Sequence, residues 1–374
     1  MTLQVWNYRG SLVNTKRALK EGVLTLGFIG GSITDPRPRH NWPESVIGWF
    51  VSTFPHVRIV VENAGIGATG SDLAVFRAKR DLIERGCDIV FVEYAVNDNE
   101  VPTEKRMRTR EGLLRQLLAD GKRDVVLAYT FSQDMYEPMS EGLAPSSIAE
   151  LELLATHYQL GSVWMGLYAM RQVQSGMLRW EEWLPDGLHP TSRGSYAYGE
   201  SVIEYLKQEL PTGTDREDHD DHNVSNERLS GQPLIAPMNP NHWGDAYALP
   251  LEKVSTSGPW SLRRWPYYEW IDRVLDSPAP GSALSCKFEG RGVAIGIDFG
   301  KATAEFRYRL DGGEWVHYEV DRPDWNGSDG WFRLLTIADD LPRCRHQLEI
   351  ETFLGGSELQ RGTNFRLAVV GIIP

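Results

Sequence analysis

The sequence predicts an α/β domain with a doubly wound parallel sheet, followed by an antiparallel β-sandwich or jelly-roll domain. In the first part of the 374-residue chain, short apolar runs alternate with amphipathic stretches. A charged tract with almost no apolar residues comes next, and beyond it apolar residues recur at every second position. A repeated strand–helix–strand order is typical of a doubly wound sheet, whereas a two-residue period is typical of antiparallel strands. The chain is long enough for both domains to bury a core.

Four apolar runs in the first part are predicted to be buried parallel strands, because each is too short for a typical helix. The amphipathic stretches carry apolar residues at three- and four-residue spacing, with charges on the other face, which predicts helices. The predicted strands are residues 23–29, 57–61, 89–96 and 125–131, and the predicted helices are residues 44–54, 72–84, 104–119 and 194–210.

The charged tract, residues 211–231, is predicted to be a linker because it lacks the apolar residues that a packed core needs. This places the α/β domain at residues 1–210 and the sandwich domain at residues 232–374. A cluster of acids and histidines in the tract is expected to be solvated rather than metal-bound. The cluster comprises Asp218, His219, Asp220, Asp221 and His222. We expect no metal and no cofactor.

The second domain shows the two-residue period most clearly at Val293, Ile295 and Ile297 and again over residues 306–310. An Asp-Gly-Gly turn at residues 311–313 predicts a hairpin after the second of these stretches. Seven of the thirteen tryptophans also lie in this domain. Packing in the core is the more common role for tryptophan in a sandwich, and stacking on sugar rings is the alternative. They include Trp260, Trp265, Trp270, Trp315, Trp325 and Trp331.

Composition excludes several classes of protein. The net charge of -12 disfavours nucleic-acid binding. No apolar run reaches the roughly 18 residues that a membrane span needs, so no membrane partner is expected. The three cysteines are far apart and lack C-x-x-C spacing, which argues against a disulfide framework. The first residues lack the features of a secretory signal, which favours a cytoplasmic location. Whether the chain forms a homo-oligomer is left open.

The first predicted strand runs directly into Gly30-Gly31-Ser32-Ile33-Thr34. Two glycines permit a tight turn that leaves the Ser32 hydroxyl exposed at the carboxyl end of a strand. Open α/β sheets bind their ligands at that edge, which makes Ser32 a candidate nucleophile. On these five residues alone, a glycine-rich turn with an N-capping side chain remains an equal alternative.

A second motif, Asp186-Gly187-Leu188-His189-Pro190, precedes the last predicted helix of the first domain. An Asp and a His three residues apart can lie side by side, with one imidazole nitrogen on the carboxylate and the other facing a nucleophile. Alone, this pattern is more often a turn with a surface histidine. Its position before the last helix allows its loop to reach the same sheet edge as Ser32.

Two further loops follow predicted strands and supply hydrogen-bond donors. Residues 63–70, NAGIGATG, form a glycine-rich loop whose backbone N–H groups can approach a ligand closely. Residues 95–98, AVND, place the Asn97 carboxamide at the sheet edge. Donors beside a nucleophilic serine stabilise the oxyanion of a tetrahedral intermediate. A phosphate-type loop and an Asx turn are the alternatives for each loop taken alone.

The four blocks GGSIT, NAGIGATG, AVND and DGLHP resemble, in order, those of the SGNH (GDSL-like) hydrolases over roughly residues 20–210. The resemblance implies a serine esterase with Ser32 as nucleophile, His189 as general base and Asp186 orienting the imidazole. It also implies an oxyanion hole of the Ser32 N–H, an N–H of the glycine loop at Gly67 or Ala68, and the Asn97 side chain. The usual donor glycine of the second block falls at Ala68, and Gly31 stands where many members have Asp.

Some such enzymes that carry a β-sandwich domain act on acetylated sugars. The resemblance therefore favours a carbohydrate O-acetyl esterase, acting on a small-molecule or oligosaccharide ester. The alternatives are a general short- or medium-chain esterase or lysophospholipase, and a carbohydrate-binding protein with a silent hydrolase domain. His40 and Trp42, which follow the nucleophile, are predicted to contact substrate. No G-x-S-x-G motif is present, which disfavours a hydrolase of the nucleophile-elbow type.

Overall fold

The computed structural model describes residues 3–211, 233–300, 303–318, 330–354 and 362–374. Contacts between residues divide the chain into two compact units, Met1–Gly244 and Asp245–Pro374. Within the described ranges, no helix combines the length and the apolar character needed to cross a bilayer.

The first unit is a six-stranded sheet with helices between its strands, as predicted for the α/β domain. The strand order is β1-β6-β5-β4-β2-β3, with all pairs parallel except the edge strand β1. The strands are β1 Trp6–Asn7, β2 Val23–Gly30, β3 Arg58–Asn63, β4 Ile89–Glu93, β5 Asp124–Ala128 and β6 Gly161–Val163. The helices are α1 Val13–Glu21, α2 Trp42–Thr53, α3 Ser71–Ala78, α4 Thr103–Leu118, α5 Tyr136–Ser140, α6 Ser146–His157, α7 Met165–Gln174, α8 Trp180–Trp183 and α9 Ser192–Glu209.

The four predicted strands correspond to β2 to β5, and the predicted helices to α2, α3, α4 and α9. The third strand is shorter than predicted and ends at Glu93, because the chain turns immediately after it: the Asp98 N–H donates to the Tyr94 carbonyl at 3.4 Å. The predicted second helix is α3 followed by a π-helical turn, Lys79–Ile83. The short elements β1, α5 and α8 carry too few residues for a period to be recognised in the sequence.

Residues 233–244 belong to the first unit, although the sequence analysis assigned them to the second domain. The buried carboxylate of Glu111, on α4, accepts hydrogen bonds from the backbone N–H groups of Met238 at 2.6 Å and Asn239 at 2.8 Å. The Trp243 side chain is fully buried and its ring lies 5.8 Å from that of Phe76. The domain boundary therefore falls at residues 244–245. The predicted linker, except for Pro211, lies outside the described residues.

The second unit contains two antiparallel sheets that enclose a core of its own, as predicted for the sandwich. One sheet has the order β15-β12-β17-β10-β9, with β7 also paired to β17, and the other has the order β14-β13-β16-β11-β8. The core residues include Ile295, Ile297, Phe306 and Ile350. The strands are β7 Tyr247–Ala248, β8 Ser255–Ser257, β9 Ser261–Arg264, β10 Arg273–Ser277, β11 Ala283–Gly290, β12 Gly292–Asp298, β13 Glu305–Leu310, β14 Val316–Tyr318, β15 Phe332–Ala338, β16 Cys344–Phe353 and β17 Phe365–Ile373.

The packing of residues 233–244 against α4 can be tested at Gly112. A Cβ on Gly112 would lie 2.6 Å from the carbonyl carbon of Trp243, which is backbone and cannot rotate away. We expect Gly112→Ala to lower the free energy of unfolding by roughly 1–3 kcal/mol through overpacking. Urea denaturation followed by circular dichroism measures this change.

Gly48→Ala is the matched control. Gly48 lies in α2, is exposed, and has no atom within 4 Å of the place where its Cβ would stand. Because alanine favours the helix, this substitution should raise the free energy of unfolding by about 1 kcal/mol. Equal effects of the two substitutions would contradict the packing described here.

Candidate active site

Ser32, His189 and Asp186 form one hydrogen-bonded chain. The Ser32 Oγ lies 3.0 Å from Nε2 of His189, and Nδ1 of the same imidazole lies 2.9 Å from Oδ2 of Asp186. The three residues come from the end of β2 and from the loop before α9, more than 150 positions apart. The structure therefore brings together the three side chains that the two sequence motifs singled out.

The loop of Asp186 and His189 is held in place by its own backbone. Oδ1 of Asp186 accepts from the N–H groups of Leu188 at 2.9 Å and His189 at 2.7 Å. Gly187 between them has a φ of 78°, a conformation that glycine adopts without strain. Burial alone would raise the pKa of Asp186, but the hydrogen bonds from His189 and Leu188 outweigh it and hold the pKa below its usual value. Asp186 is thus an anion that fixes the imidazole.

The turn that carries Ser32 is closed by hydrogen bonds on both sides. The N–H groups of Thr34 and Asp35 donate to the Gly31 carbonyl at 3.1 and 3.0 Å. From outside the turn, Nδ2 of the buried Asn41 donates to the carbonyls of Ser32 at 2.8 Å and Asp35 at 2.9 Å. These contacts leave the serine little backbone freedom.

Glu93, the last residue of β4, lies beneath this turn and is fully buried. Its Oε2 accepts from the Gly31 N–H at 3.3 Å and from the Thr34 hydroxyl at 3.0 Å, and its Oε1 accepts from the Thr130 hydroxyl at 2.6 Å. Desolvation raises the pKa of Glu93 to about 7, against these three hydrogen bonds, which lower it. The carboxyl group thus joins the ends of three neighbouring strands. Sequence reasoning missed it, and the only signal was one acid closing an apolar run.

The glycine-rich loop passes beside Ser32, since a Cβ on Gly67 would lie 3.6 Å from the Ser32 Cβ. The Gly67 N–H donates to Oδ2 of Asp35 at 3.3 Å and is therefore already engaged. Ala68 has a φ of 57°, which turns its backbone in the way usual for glycine. In the part of the chain that the structure describes, its N–H has no protein acceptor. Of the two predicted donors, Ala68 is the one that remains available.

The Asn97 side chain lies against the turn that carries Ser32. A Cβ on Gly31 would stand only 1.8 Å from its Oδ1, so the absence of a side chain at Gly31 makes room for the carboxamide. The next residue, Asp98, is buried and accepts from Nε of Arg110 at 2.9 Å and from the Ser71 N–H at 3.0 Å. This buried ion pair anchors the loop that presents Asn97.

The two predicted substrate contacts differ in position. His40 is exposed, with Nδ1 2.9 Å from the Pro38 carbonyl, and its contact with substrate stays a prediction. The prediction for Trp42 is wrong. Its side chain is fully buried, its ring packs edge-on against Phe28, and its Nε1 donates to Oγ1 of Thr34 at 3.1 Å. Trp42 supports the turn from within the core because it begins α2 and points into the sheet.

Metal ligation finds no support in the described ranges, where no group of three His, Cys, Asp or Glu side chains is close enough to hold an ion. The Asp and His cluster at residues 218–222 lies outside those ranges.

The burial of Glu93 predicts a specific pH dependence of stability. Between about pH 4.5 and pH 7 the folded protein keeps a proton on Glu93 that the unfolded chain has released, so the stability that this group contributes at low pH is lost as the pH rises. Glu93→Gln does not titrate and retains acceptor and donor atoms for the three partners. Relative to this variant, the parent should lose roughly 3 kcal/mol of unfolding free energy between pH 4.5 and pH 8. Urea denaturation of both proteins at several pH values measures the difference. Parallel pH profiles would contradict the assignment.

Comparison with known proteins supports the fold. No protein-family model and no curated protein matches the sequence. A solved two-domain esterase active on acetylated mannans, crystallised with mannopentaose, is similar with a TM-score of 0.78 and 23% identity over 98% of this chain and 95% of that one. A second structure of a two-domain esterase active on acetylated mannans has a TM-score of 0.77 and 22% identity, over 97% of this chain and 96% of that one. An acetylxylan esterase from Geobacillus stearothermophilus matches 52% of this chain and 97% of its own, with a TM-score of 0.40 and 21% identity. The chain has the fold of the two-domain esterases active on acetylated mannans.

Proposed function

We propose that this protein is a serine esterase that removes short acyl groups, with acetyl preferred, from carbohydrate esters. The observation that carries the proposal is the chain of hydrogen bonds from Ser32 through His189 to Asp186 at the carboxyl edge of the sheet. A nucleophile, a base within hydrogen-bond reach and a third group that orients the base are what acyl transfer requires.

In the proposed reaction, Oγ of Ser32 attacks the acyl carbonyl carbon while Nε2 of His189 takes the hydroxyl proton. Asp186 stabilises the imidazolium that forms. The tetrahedral intermediate then collapses, and the bond between the acyl carbon and the sugar oxygen breaks. His189 gives its proton to the leaving alcohol. A water molecule, deprotonated by the same imidazole, then attacks the acyl-enzyme. The bond between the acyl carbon and Oγ of Ser32 breaks, His189 returns its proton to Oγ, and the carboxylic acid leaves.

The oxyanion is proposed to accept hydrogen bonds from the N–H groups of Ser32 and Ala68 and from the Asn97 carboxamide. Gly67, which precedes Ala68, lies beside Ser32, and Asn97 lies beside Gly31. None of the three donors has a protein acceptor among the described residues. Donors that are fixed before the reaction stabilise the charge at no cost of reorganisation. The hydrogen bonds that immobilise the Ser32 turn and the Asp98 anchor supply this fixation.

The carbohydrate part of the proposal is supported by the shared fold. The neighbour that is similar along both units is active on acetylated mannans. Initial rates on acetylated manno- and xylo-oligosaccharides, compared with p-nitrophenyl esters of increasing acyl length, test the substrate class. A rate that rises with acyl length and no release of acetate from any sugar would favour a general esterase or lysophospholipase instead.

The triad predicts that Ser32→Ala and His189→Ala each abolish nearly all hydrolysis of p-nitrophenyl acetate. Asp186→Asn should leave more activity, because the imidazole remains while its orientation is lost. A serine-directed phosphonate should label the parent at Ser32, as located by peptide mass spectrometry.

Ser175→Ala and His56→Ala are the matched controls, since both side chains are exposed and lie outside the proposed site. Each should retain the parent rate. Substantial activity in Ser32→Ala would overturn the assignment of the nucleophile.

Asn97→Ala is expected to lower kcat by about 10²–10³ with KM nearly unchanged, since the lost hydrogen bond forms only in the transition state. Asn99→Ala serves as the control. Asn99 lies in the same loop as Asn97 and donates a 2.8 Å hydrogen bond to Asp134, so this substitution removes a hydrogen bond but no proposed oxyanion donor. An effect of Asn97→Ala on KM alone would assign this residue to substrate binding.

A further inference from the structure

The outer face of one sheet of the second unit carries side chains that the core does not require. On β13 and β16 the two-residue alternation directs Phe306 and Ile350 into the core, whereas Arg307 and Glu351 lie on the opposite face. Arg307 pairs in register with Glu351 on one side and with His317 of β14 on the other.

A cavity of about 440 Å³ lies on this face. This volume is within the range of about 300–1,000 Å³ typical of small-molecule sites. The His317 and Phe353 rings are 4.7 Å apart, and the Arg307 guanidinium lies 4.6 Å from the Trp315 ring. We refer to the lining residues as the Trp315 patch, which consists of Arg307, Trp315, His317, Glu351 and Phe353.

Trp315 differs from the other tryptophans described in this unit. Trp260 and Trp331 pack against the hydrophobic core, and Trp265 donates from Nε1 to Asp298 at 3.0 Å. Trp315 lines the cavity, with the guanidinium groups of Arg307 and Arg309 4.6 and 4.5 Å from its ring. Trp265 also lies beside two guanidinium groups, at 5.7 and 4.7 Å, but is not among the residues that line the cavity. The arginines hold the indole in one orientation. A pre-oriented aromatic ring beside a cavity is a surface on which a ligand can stack.

The charges of the patch select against an anionic ligand. Arg307 is paired with Glu351 at 2.6 Å and Arg309 with Glu349 at 2.8 Å, and His317 lies 2.9 Å from Glu305. Two arginines therefore face three glutamates, which leaves no surplus of positive charge. Guanidinium and carboxylate groups held in this way offer donors and acceptors to hydroxyl groups.

We infer that the Trp315 patch binds a short segment of a neutral polysaccharide, with a sugar ring stacked on Trp315 and its hydroxyls bonded to Arg307 and Glu351. The apolar face of a sugar ring matches the indole, and neighbouring hydroxyls match the planar charged groups. This binding site is in the second unit and does not depend on the esterase reaction. It would hold the protein on a polymeric substrate.

The test compares the full chain with its Trp315→Ala variant by affinity electrophoresis in gels containing soluble glucomannan, xylan or polygalacturonate. Trp315→Ala should weaken retention by glucomannan or xylan by about tenfold, as expected for the loss of one stacking ring. Trp315→Phe, which keeps an aromatic face, should retain most of the affinity. Hydrolysis of p-nitrophenyl acetate should be the same in all three proteins.

Tyr247→Ala, which removes an exposed aromatic ring from β7 in the other sheet, is the matched control and should bind like the parent. Circular dichroism of each variant checks that the fold is kept. Three results would overturn the proposal: no retention of the parent by either neutral polysaccharide, equal retention of the parent and Trp315→Ala, or stronger retention by polygalacturonate than by the neutral polymers. If the parent binds a neutral polysaccharide but does not hydrolyse esters, the proposed function is contradicted and the binding result remains valid.

Discussion

A single buried carboxyl group, Glu93, holds the strand ends on which the proposed active site is built. It accepts from the Gly31 N–H and the Thr34 hydroxyl of the turn that carries Ser32, and from the Thr130 hydroxyl after the neighbouring strand β5. Burial raises its pKa to about 7, so near neutral pH a large share of the group is uncharged. An ionised carboxylate in this place would oppose the negative charge that develops beside Ser32. The same desolvation that costs stability at high pH therefore favours the proposed reaction.

The other parts of the site depend on the edge that Glu93 organises. Asn97 follows β4 by only four residues, and its position is set by the ion pair of Asp98 with Arg110, both of which are buried. The carboxamide fits because Gly31 has no side chain. Removing one partner of a buried ion pair leaves an unpaired charge, which costs far more than an exposed pair contributes. Asn97 and Ser32 are thus held by interactions in the core rather than by the surface loops alone.

Much of this arrangement follows from local patterns, and the remainder from contacts between distant residues. Apolar runs predicted β2 to β5, because a strand buried on both faces consists of a few consecutive apolar residues. The motifs predicted Ser32, Asp186 and His189, which the structure joins by hydrogen bonds, because few residue types can form such a chain. The assignment of Trp42 to substrate binding failed, since no local pattern shows that its ring points at Phe28. The packing of residues 233–244 on α4 was missed for the same reason: Glu111 meets Met238 across 127 positions.

Backbone geometry bears on a question that the motif left open, namely which N–H of the glycine-rich loop is available to the proposed oxyanion. Ala68 is held at a φ of 57°, where a residue with a Cβ pays on the order of 1 kcal/mol. Strain of this kind persists when the surrounding structure enforces it, and it concentrates at functional sites. Next to Ala68, the carboxylate of Asp35 accepts from the N–H of Gly67 at 3.3 Å, so that N–H is already engaged. The N–H of Ala68 is left without a protein acceptor in the described chain, beside the serine. In the proposed mechanism, the left-handed conformation of Ala68 presents this N–H group to the oxyanion.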